Sequence, residues 1–225
     1  MTTGCWVLVG IAAVFAVLDW LAVASESRRV EVVAKPTTLG LLVAAAILAR
    51  PERMGVHLWL VLALIFGLIG DLALVARSPA EHGILHREAP DWFFVIGLVS
   101  FLLGHLSYCA AILRYGVELT SVLFGLALVV LMLFICTSRI VGGAYRQGGP
   151  MLASAITLYI VTLSTAVTLA VGTSSLLIAY GSLLFAASDL ILAYDRFAKA
   201  QPWSRVAVVV SYHVAQFFLL IGLLR

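Results

Sequence analysis

Eight long apolar blocks follow one another along this 225-residue chain and constrain its fold more than any other feature. They run at about 4–25, 36–50, 57–77, 92–113, 118–138, 150–171, 174–194 and 205–224. Most are close to the roughly 20 residues that a helix needs to cross a bilayer. Only 11% of the residues are charged, against about a quarter in soluble domains. The sequence therefore predicts one all-α domain over residues 1–225, a polytopic transmembrane helix bundle of about eight spans.

The second block is the least regular of the eight. It has only about 15 residues and opens with Lys35-Pro36, and proline costs little at a first helical position. Two alternatives stay open. The span can begin earlier, at Val32, which places Lys35 inside the membrane, or the block can be re-entrant, which leaves seven spans.

The 14 Lys and Arg residues are scattered singly or in pairs between the apolar blocks. This pattern is typical of helix ends and excludes a nucleic-acid surface. Ten of them lie in every second link, against four on the other side, so the positive-inside rule predicts an integral membrane protein with both termini outside the cytoplasm. Cys5, Cys109 and Cys136 form no C-x-x-C pair, which indicates neither a disulfide framework nor a structural zinc site.

Three acids lie inside strong spans, where a charged group costs roughly 2.5–3.5 kcal/mol on insertion scales. Asp19, Asp71 and Asp189 each lie a few residues from the predicted cytoplasmic end of a helix, roughly 9 Å deep at 1.5 Å per residue. Other polar side chains enter from the same side or lie near the middle of their spans, namely Lys35, Tyr212, His105 and Gln216. The ionisable groups therefore share one leaflet.

Helix periodicity predicts that these acids face the interior of the bundle. Asp71 shares a face with Gly67, and Asp189 shares one with Ser182 and Ala186. Small residues on one face allow close helix packing. Each acid can also be read as a structural residue that holds helices together, and Asp19 in particular fits that interpretation. His82 and His86 have a metal-binding spacing, but their polar surroundings favour a solvated loop.

Two of the acids lie in short segments of similar sequence. Gly70-Asp71-Leu72-Ala73-Leu74 is similar to Ser188-Asp189-Leu190-Ile191-Leu192. With eight spans, these segments lie in the third and seventh helices at equal depth and in the same direction. The similarity therefore fits two parallel four-helix halves, although so short an apolar match also arises by coincidence.

Five motifs in order along the chain resemble the YhhN family of membrane proteins, which includes the lysoplasmalogenases. They are Lys35-Pro36-Thr37, Gly67-Leu68-Ile69-Gly70-Asp71, Gly104-His105-Leu106-Ser107-Tyr108, Phe185-Ala186-Ala187-Ser188-Asp189, and Tyr212 with Ala215-Gln216. His213 is a departure, because a second aromatic residue is expected beside Tyr212. The resemblance implies hydrolysis of the vinyl ether bond of lysoplasmalogens to a fatty aldehyde and a glycerophospho-alcohol, with lysolipids and membrane lipids as partners.

The intramembrane acids suit that chemistry. Vinyl ether hydrolysis needs an acid that stays protonated, a group that stabilises an oxocarbenium ion, and a positioned water. Burial favours a neutral carboxyl group, and a second acid nearby reinforces this. One of Asp71 and Asp189 is then the general acid and the other the ionised partner, in either order. No metal and no organic cofactor is needed. The predicted substrate-binding residues are Lys35, which pairs with the ionised acid or binds the lipid phosphate, and His105, Tyr108, Ser188, Tyr212 and Gln216.

Two other functions are compatible with the same residues. Intramembrane acids and histidines also form the proton relays of proton-coupled transporters. A metal-dependent membrane lipid hydrolase is the second alternative, although only His105 and His213 are histidines within spans. A purely structural role leaves the cost of three buried acids unexplained.

Overall fold

The computed structural model describes residues 1–49, 53–76 and 92–225, and every regular element in these ranges is a helix. The helical segments are α1 (Thr3–Ala24), α2 (Arg28–Leu48), α3 (Met54–Ala76), α4 (Trp92–Tyr115), α5 (Leu119–Gly172), α6 (Leu176–Phe197) and α7 (Ser204–Leu223). Because α5 is interrupted at Gly148 and Gly149, it consists of two helical arms, 119–147 and 150–172. The described chain thus holds eight helices, and the predicted all-α class is confirmed.

Large apolar side chains lie on the outside of the bundle and small or polar ones on the inside. In α1, Val14 and Leu21 are exposed, whereas Ala12, Ala16 and Asp19 are buried. This is the reverse of a water-soluble helix and matches a surface solvated by lipid tails. Seven stretches of the described chain are long and apolar enough to cross a membrane. The chain is therefore a polytopic membrane protein, as predicted.

Helix α2 differs from the short block seen in the sequence. It begins at Arg28 and has 21 residues, so Pro36 lies inside the helix and not at its first position. The charged residues Arg28, Arg29 and Glu31 had concealed this start, because hydropathy alone ends a span at such residues. The helix is long enough to cross the membrane, which removes the reason for a re-entrant second block and places Lys35 two turns inside it.

Segment α5 is a helical hairpin. Gly148 and Gly149 have non-helical backbone angles, with φ of 65° at Gly149, a conformation that glycine adopts without strain. The backbone N–H of Glu118 donates to the carbonyl of Gly172 at 2.7 Å, so the two arms run antiparallel. The loop expected between 138 and 150 is therefore two residues long. The first arm carries no charged residue from 119 to 137, which supports an eighth crossing.

Helix α7 lies at the centre of the bundle and contacts α1, α2, α3, α4 and α6. The other helices pack in chain order around it, from α1 against α2 to α6 against α7. Close approach depends on small residues: a Cβ atom at Gly181 would lie 2.9 Å from the Leu219 side chain. Because α7 is surrounded, its polar side chains Tyr212, His213 and Gln216 are all buried. The two-halves repeat stays a prediction.

One end of the bundle carries most of the described cationic side chains, and we call it the basic end. It comprises the start of α2, the turn of α5, the end of α6 and the start of α7, with Arg28, Arg146, Arg196 and Arg205. Arg205 pairs with Glu31 at 3.1 Å, which joins α7 to α2 there. Asp19, Asp71 and Asp189 all lie in the half of their helices nearer this end.

Candidate active site

Asp71 on α3 is fully buried and lies between α2 and α7. Lys35 Nζ is 3.3 Å from Asp71 Oδ1, and the Tyr212 hydroxyl donates a hydrogen bond of 3.0 Å to Oδ2. Lys35 itself is 8% exposed, so neither charge of the pair is solvated by bulk water. Each group of such a pair compensates the charge of the other, and removal of either partner would leave an uncompensated charge in a poorly hydrated interior.

Gln216 continues this polar cluster one turn further along α7. The Tyr108 hydroxyl on α4 donates to Gln216 Oε1, while Gln216 Nε2 has no hydrogen-bond partner among the described residues. Gly67 makes the room: a Cβ atom there would lie 3.3 Å from both Gln216 Nε2 and the Tyr212 hydroxyl oxygen. The glycine predicted to share a face with Asp71 is thus the position that admits the α7 side chains.

A second polar cluster surrounds Asp189 on α6. His105 Nε2 lies 3.0 Å from Asp189 Oδ2, and the Tyr159 hydroxyl donates to the same oxygen at 2.6 Å. Two groups thus lie within hydrogen-bonding distance of one carboxyl oxygen, Oδ2 of Asp189. Tyr159 was missed from the sequence, because a single tyrosine in an apolar span usually reflects packing. Its position in the second arm of α5, about as far from the basic end as Asp189, was the available signal.

An aromatic wall separates the two clusters. The Phe185 ring centroid lies 4.6 Å from that of His105 and 5.3 Å from that of Tyr212. Phe101 also packs edge-on against Tyr212, with centroids 5.9 Å apart. The sequence suggested a single chamber containing both acids. The structure instead places them on two sides of this wall, with Tyr212 and His105 as the flanking polar groups.

A pocket opens on the Asp189 side of the wall. Its lining is almost entirely apolar and comes from α3, α4, the second arm of α5 and α6. The polar side chains that line it are Tyr159, Asp189 and Arg196. Asp71 is not among the residues that line this pocket. The carboxyl group of Asp189, about one tenth exposed, is therefore the acid presented to a ligand here.

The other predicted residues lie nearby but have different partners. The Ser188 hydroxyl donates to the Val208 carbonyl at 3.0 Å, so it joins α6 to α7 and is not among the pocket-lining residues. Asp19 is fully buried, and its carboxyl oxygens have no hydrogen-bond partner among the described residues. His213 accepts a hydrogen bond from the Trp20 indole at 3.1 Å. His82 and His86, and the side chain of Cys136, lie outside the described part.

One alternative function, a metal-dependent membrane lipid hydrolase, requires a cluster of metal ligands. Within residues 1–49, 53–76 and 92–225, no three His, Cys, Asp or Glu side chains are close enough together to hold a metal ion. His105 and Asp189 face each other as a pair, and His213 lies beside Trp20 on α1. The described residues thus supply acid–base pairs, which can hold, donate and accept protons.

Comparison with known proteins places the site in a family context. Residues 30–223 match the model of the YhhN family. The chain is 30% identical over 190 residues to proteins named Lysoplasmalogenase from Mycobacterium bovis and Mycobacterium tuberculosis, an alignment that covers 82% of this chain and 67% of each relative. No solved structure matches the chain significantly. The matched range includes both polar clusters and the pocket.

Proposed function

This chain belongs to the YhhN family, and from that premise we propose that it hydrolyses the vinyl ether bond of lysoplasmalogens. The products are a fatty aldehyde and a glycerophospho-alcohol. The relatives named Lysoplasmalogenase support this reaction. The observation that carries the proposal is Asp189, an acid held by His105 and Tyr159 at the wall of an otherwise apolar pocket. Such a pocket suits a single hydrocarbon chain whose reactive carbon must be protonated.

The reaction needs one proton donor that later accepts a proton. A proton moves from the acid to the β-carbon of the vinyl ether, the π electrons form the new C–H bond, and the α-carbon becomes an oxocarbenium ion. Water then bonds to the α-carbon and gives up a proton to the carboxylate, which leaves a hemiacetal. Cleavage of the hemiacetal, with transfer of its hydroxyl proton to the glycerol oxygen, releases the aldehyde and the alcohol. The oxocarbenium-like transition state parallels that of glycoside hydrolysis.

We assign the general acid to Asp189 and the ionised role to Asp71. The Tyr159 hydroxyl donates to Oδ2 of Asp189, and His105 Nε2 lies 3.0 Å from the same oxygen, so we place the transferable proton on Oδ1. Asp71 is paired with Lys35 and stays ionised.

His105, Tyr212 and Gln216 have supporting roles in this mechanism. His105 lies between Asp189 and the Phe185 ring, where it orients the carboxyl group. Tyr212 fixes Asp71, and Gln216 is fixed by Tyr108. The Nε2 amide of Gln216 and the hydroxyl of Tyr212 converge at Gly67, beside Asp71, where they are suited to hold a water molecule that hydrates the ionised acid.

The proposal is tested with two lipids that differ only in the bond at the first glycerol carbon. Purified protein in nanodiscs is given a lysoplasmenyl ethanolamine and, separately, the matching 1-acyl lysophosphatidylethanolamine. We expect fatty aldehyde from the first lipid and no fatty acid from the second, because protonation at carbon requires the electron-rich double bond. Release of fatty acid at a comparable rate, or no aldehyde from the vinyl ether lipid, would overturn the proposal.

A proton-coupled transporter remains the second candidate, since the buried Lys35–Asp71 pair is also typical of proton pathways. Transporter sites commonly lie where helices are broken near the middle of the membrane. In α5 the break lies at the basic end of the hairpin. Proton-driven solute uptake by proteoliposomes without any aldehyde release would favour this function.

A further inference from the structure

Arg196 lies at the end of α6 and lines the same pocket as Asp189. The two residues are seven apart on one helix, so they share a face and are separated by about 10 Å along its axis. Arg196 lies at the basic end, and Asp189 lies two turns deeper. The remaining lining of the pocket is apolar apart from Tyr159. The pocket thus has a cationic side chain toward the basic end and an acidic side chain two turns deeper.

We infer that Arg196 binds the phosphate of the lysolipid head group and thereby places the vinyl ether beside Asp189; this inference rests on the proposed function. A guanidinium group matches a phosphate with two parallel hydrogen bonds. Its central carbon lies 5.2 Å from the centroid of the Phe94 ring, and stacking on an aromatic face fixes the plane of the fork. The Arg196 carbonyl accepts a hydrogen bond of 3.3 Å from Gln147, which anchors this helix end to the α5 turn.

The spacing agrees with the covalent structure of the lipid. Seven bonds separate the phosphorus atom from the β-carbon of the vinyl ether, and an extended chain advances about 1.2 Å per bond, or roughly 8 Å in all. With the phosphate at Arg196, the β-carbon reaches the level of Asp189. The hydrocarbon chain then continues along the apolar lining beyond it, which includes Phe101, Ile160 and Leu163.

The sequence suggested two roles for Lys35, pairing with the ionised acid or binding the lipid phosphate, and this inference assigns the second role to Arg196. Lys35 is buried at 3.3 Å from Asp71 and is not among the residues that line the pocket. A phosphate group at Lys35 would have to enter a poorly hydrated interior, away from the pocket. Arg196 is exposed and lines the pocket at the basic end, so its guanidinium group meets the phosphate where the lipid head group reaches the end of the bundle.

The test compares lipids with and without a phosphate group. Arg196→Gln, Arg196→Lys and the wild type are assayed on lysoplasmenyl ethanolamine and on 1-alkenylglycerol, which has the same vinyl ether but no phosphate. We expect Arg196→Gln to raise KM about ten- to hundredfold for the phosphate-bearing lipid and to leave kcat/KM for 1-alkenylglycerol unchanged. Arg196→Lys recovers part of the loss. Lys199→Gln, which removes an equal charge from the nearby exposed surface, leaves both substrates unaffected.

Equal loss on both substrates would assign Arg196 a structural role and overturn the inference, as would no change on either. Binding of a non-hydrolysable 1-O-alkyl lysophospholipid separates this result from failure of the proposed function. The wild type could release no aldehyde and yet bind this ether lipid more tightly than 1-O-alkylglycerol. If Arg196→Gln abolishes that difference in affinity, the phosphate site is supported and the proposed reaction is refuted. If both vinyl ethers are hydrolysed with a ratio that Arg196→Gln leaves unchanged, the reaction stands and the phosphate site falls.

Discussion

Replacement of Asp189 by asparagine removes the transferable proton and little else. The amide has the shape of the carboxyl group, and its oxygen can still accept the hydrogen bond from Tyr159. General acid catalysis typically contributes 10²–10⁴-fold to a rate, which corresponds to about 3–5 kcal/mol of the barrier. We therefore expect kcat for aldehyde release to fall by about that factor. KM should change little, because the apolar lining and Arg196 still bind the lipid.

The assay follows aldehyde formation from lysoplasmenyl ethanolamine with an aldehyde dehydrogenase present in excess. Thermal unfolding of each variant shows whether the bundle is intact. Glu118→Gln serves as the matched control, since it removes a carboxylate at the opposite end of the bundle from the basic end, and it should retain the wild-type rate. A folded Asp189→Asn protein that turns over within threefold of the wild type would refute Asp189 as the proton donor.

Two further substitutions test the neighbouring contacts. Tyr159→Phe removes the 2.6 Å hydrogen bond to Asp189, and we expect kcat to fall about tenfold with KM unchanged, measured by steady-state kinetics; an unchanged kcat would contradict a positioning role. Lys35→Met leaves the Asp71 charge unpaired, which should lower the free energy of unfolding by about 3–5 kcal/mol. Added Asp71→Asn should restore part of that loss in thermal unfolding of the double variant, and further destabilisation would show that no such ion pair contributes.

The membrane fold could be predicted because lipid imposes a simple rule on sequence. A span must be long and apolar, and its few charged residues must face protein. The rule located most helices to within a few residues and indicated that the acids face inward. It failed at α2, where Arg28 and Glu31 continue the helix beyond the apolar stretch. It also ended the first arm of α5 too early, at 138, because Arg139 and Arg146 follow the apolar stretch although the helix continues to 147.

The arrangement of the acids was only partly predictable. Helix periodicity gives the face on which Asp71 or Asp189 lies, but not the rotation of one helix against the next. That rotation decides which side chains meet across the interface, and it brings Tyr159 to Asp189 and Lys35 to Asp71. The wall formed by Phe185 has the same origin. Nothing in the sequence shows whether an aromatic residue in an apolar span separates two polar clusters or only packs against its neighbours.

The position of deuterium in the product of hydrolysis in D₂O tests most directly whether this protein protonates a vinyl ether at carbon. The aldehyde is reduced to the alcohol as it forms and is then fragmented in a mass spectrometer. Transfer from an exchangeable acid predicts a single deuterium atom at C2 of the product, and authentic aldehyde carried through the same buffer and reduction should gain none. Product with only hydrogen at C2 would mean that the ether is cleaved without carbon protonation, and it would contradict the role given to Asp189.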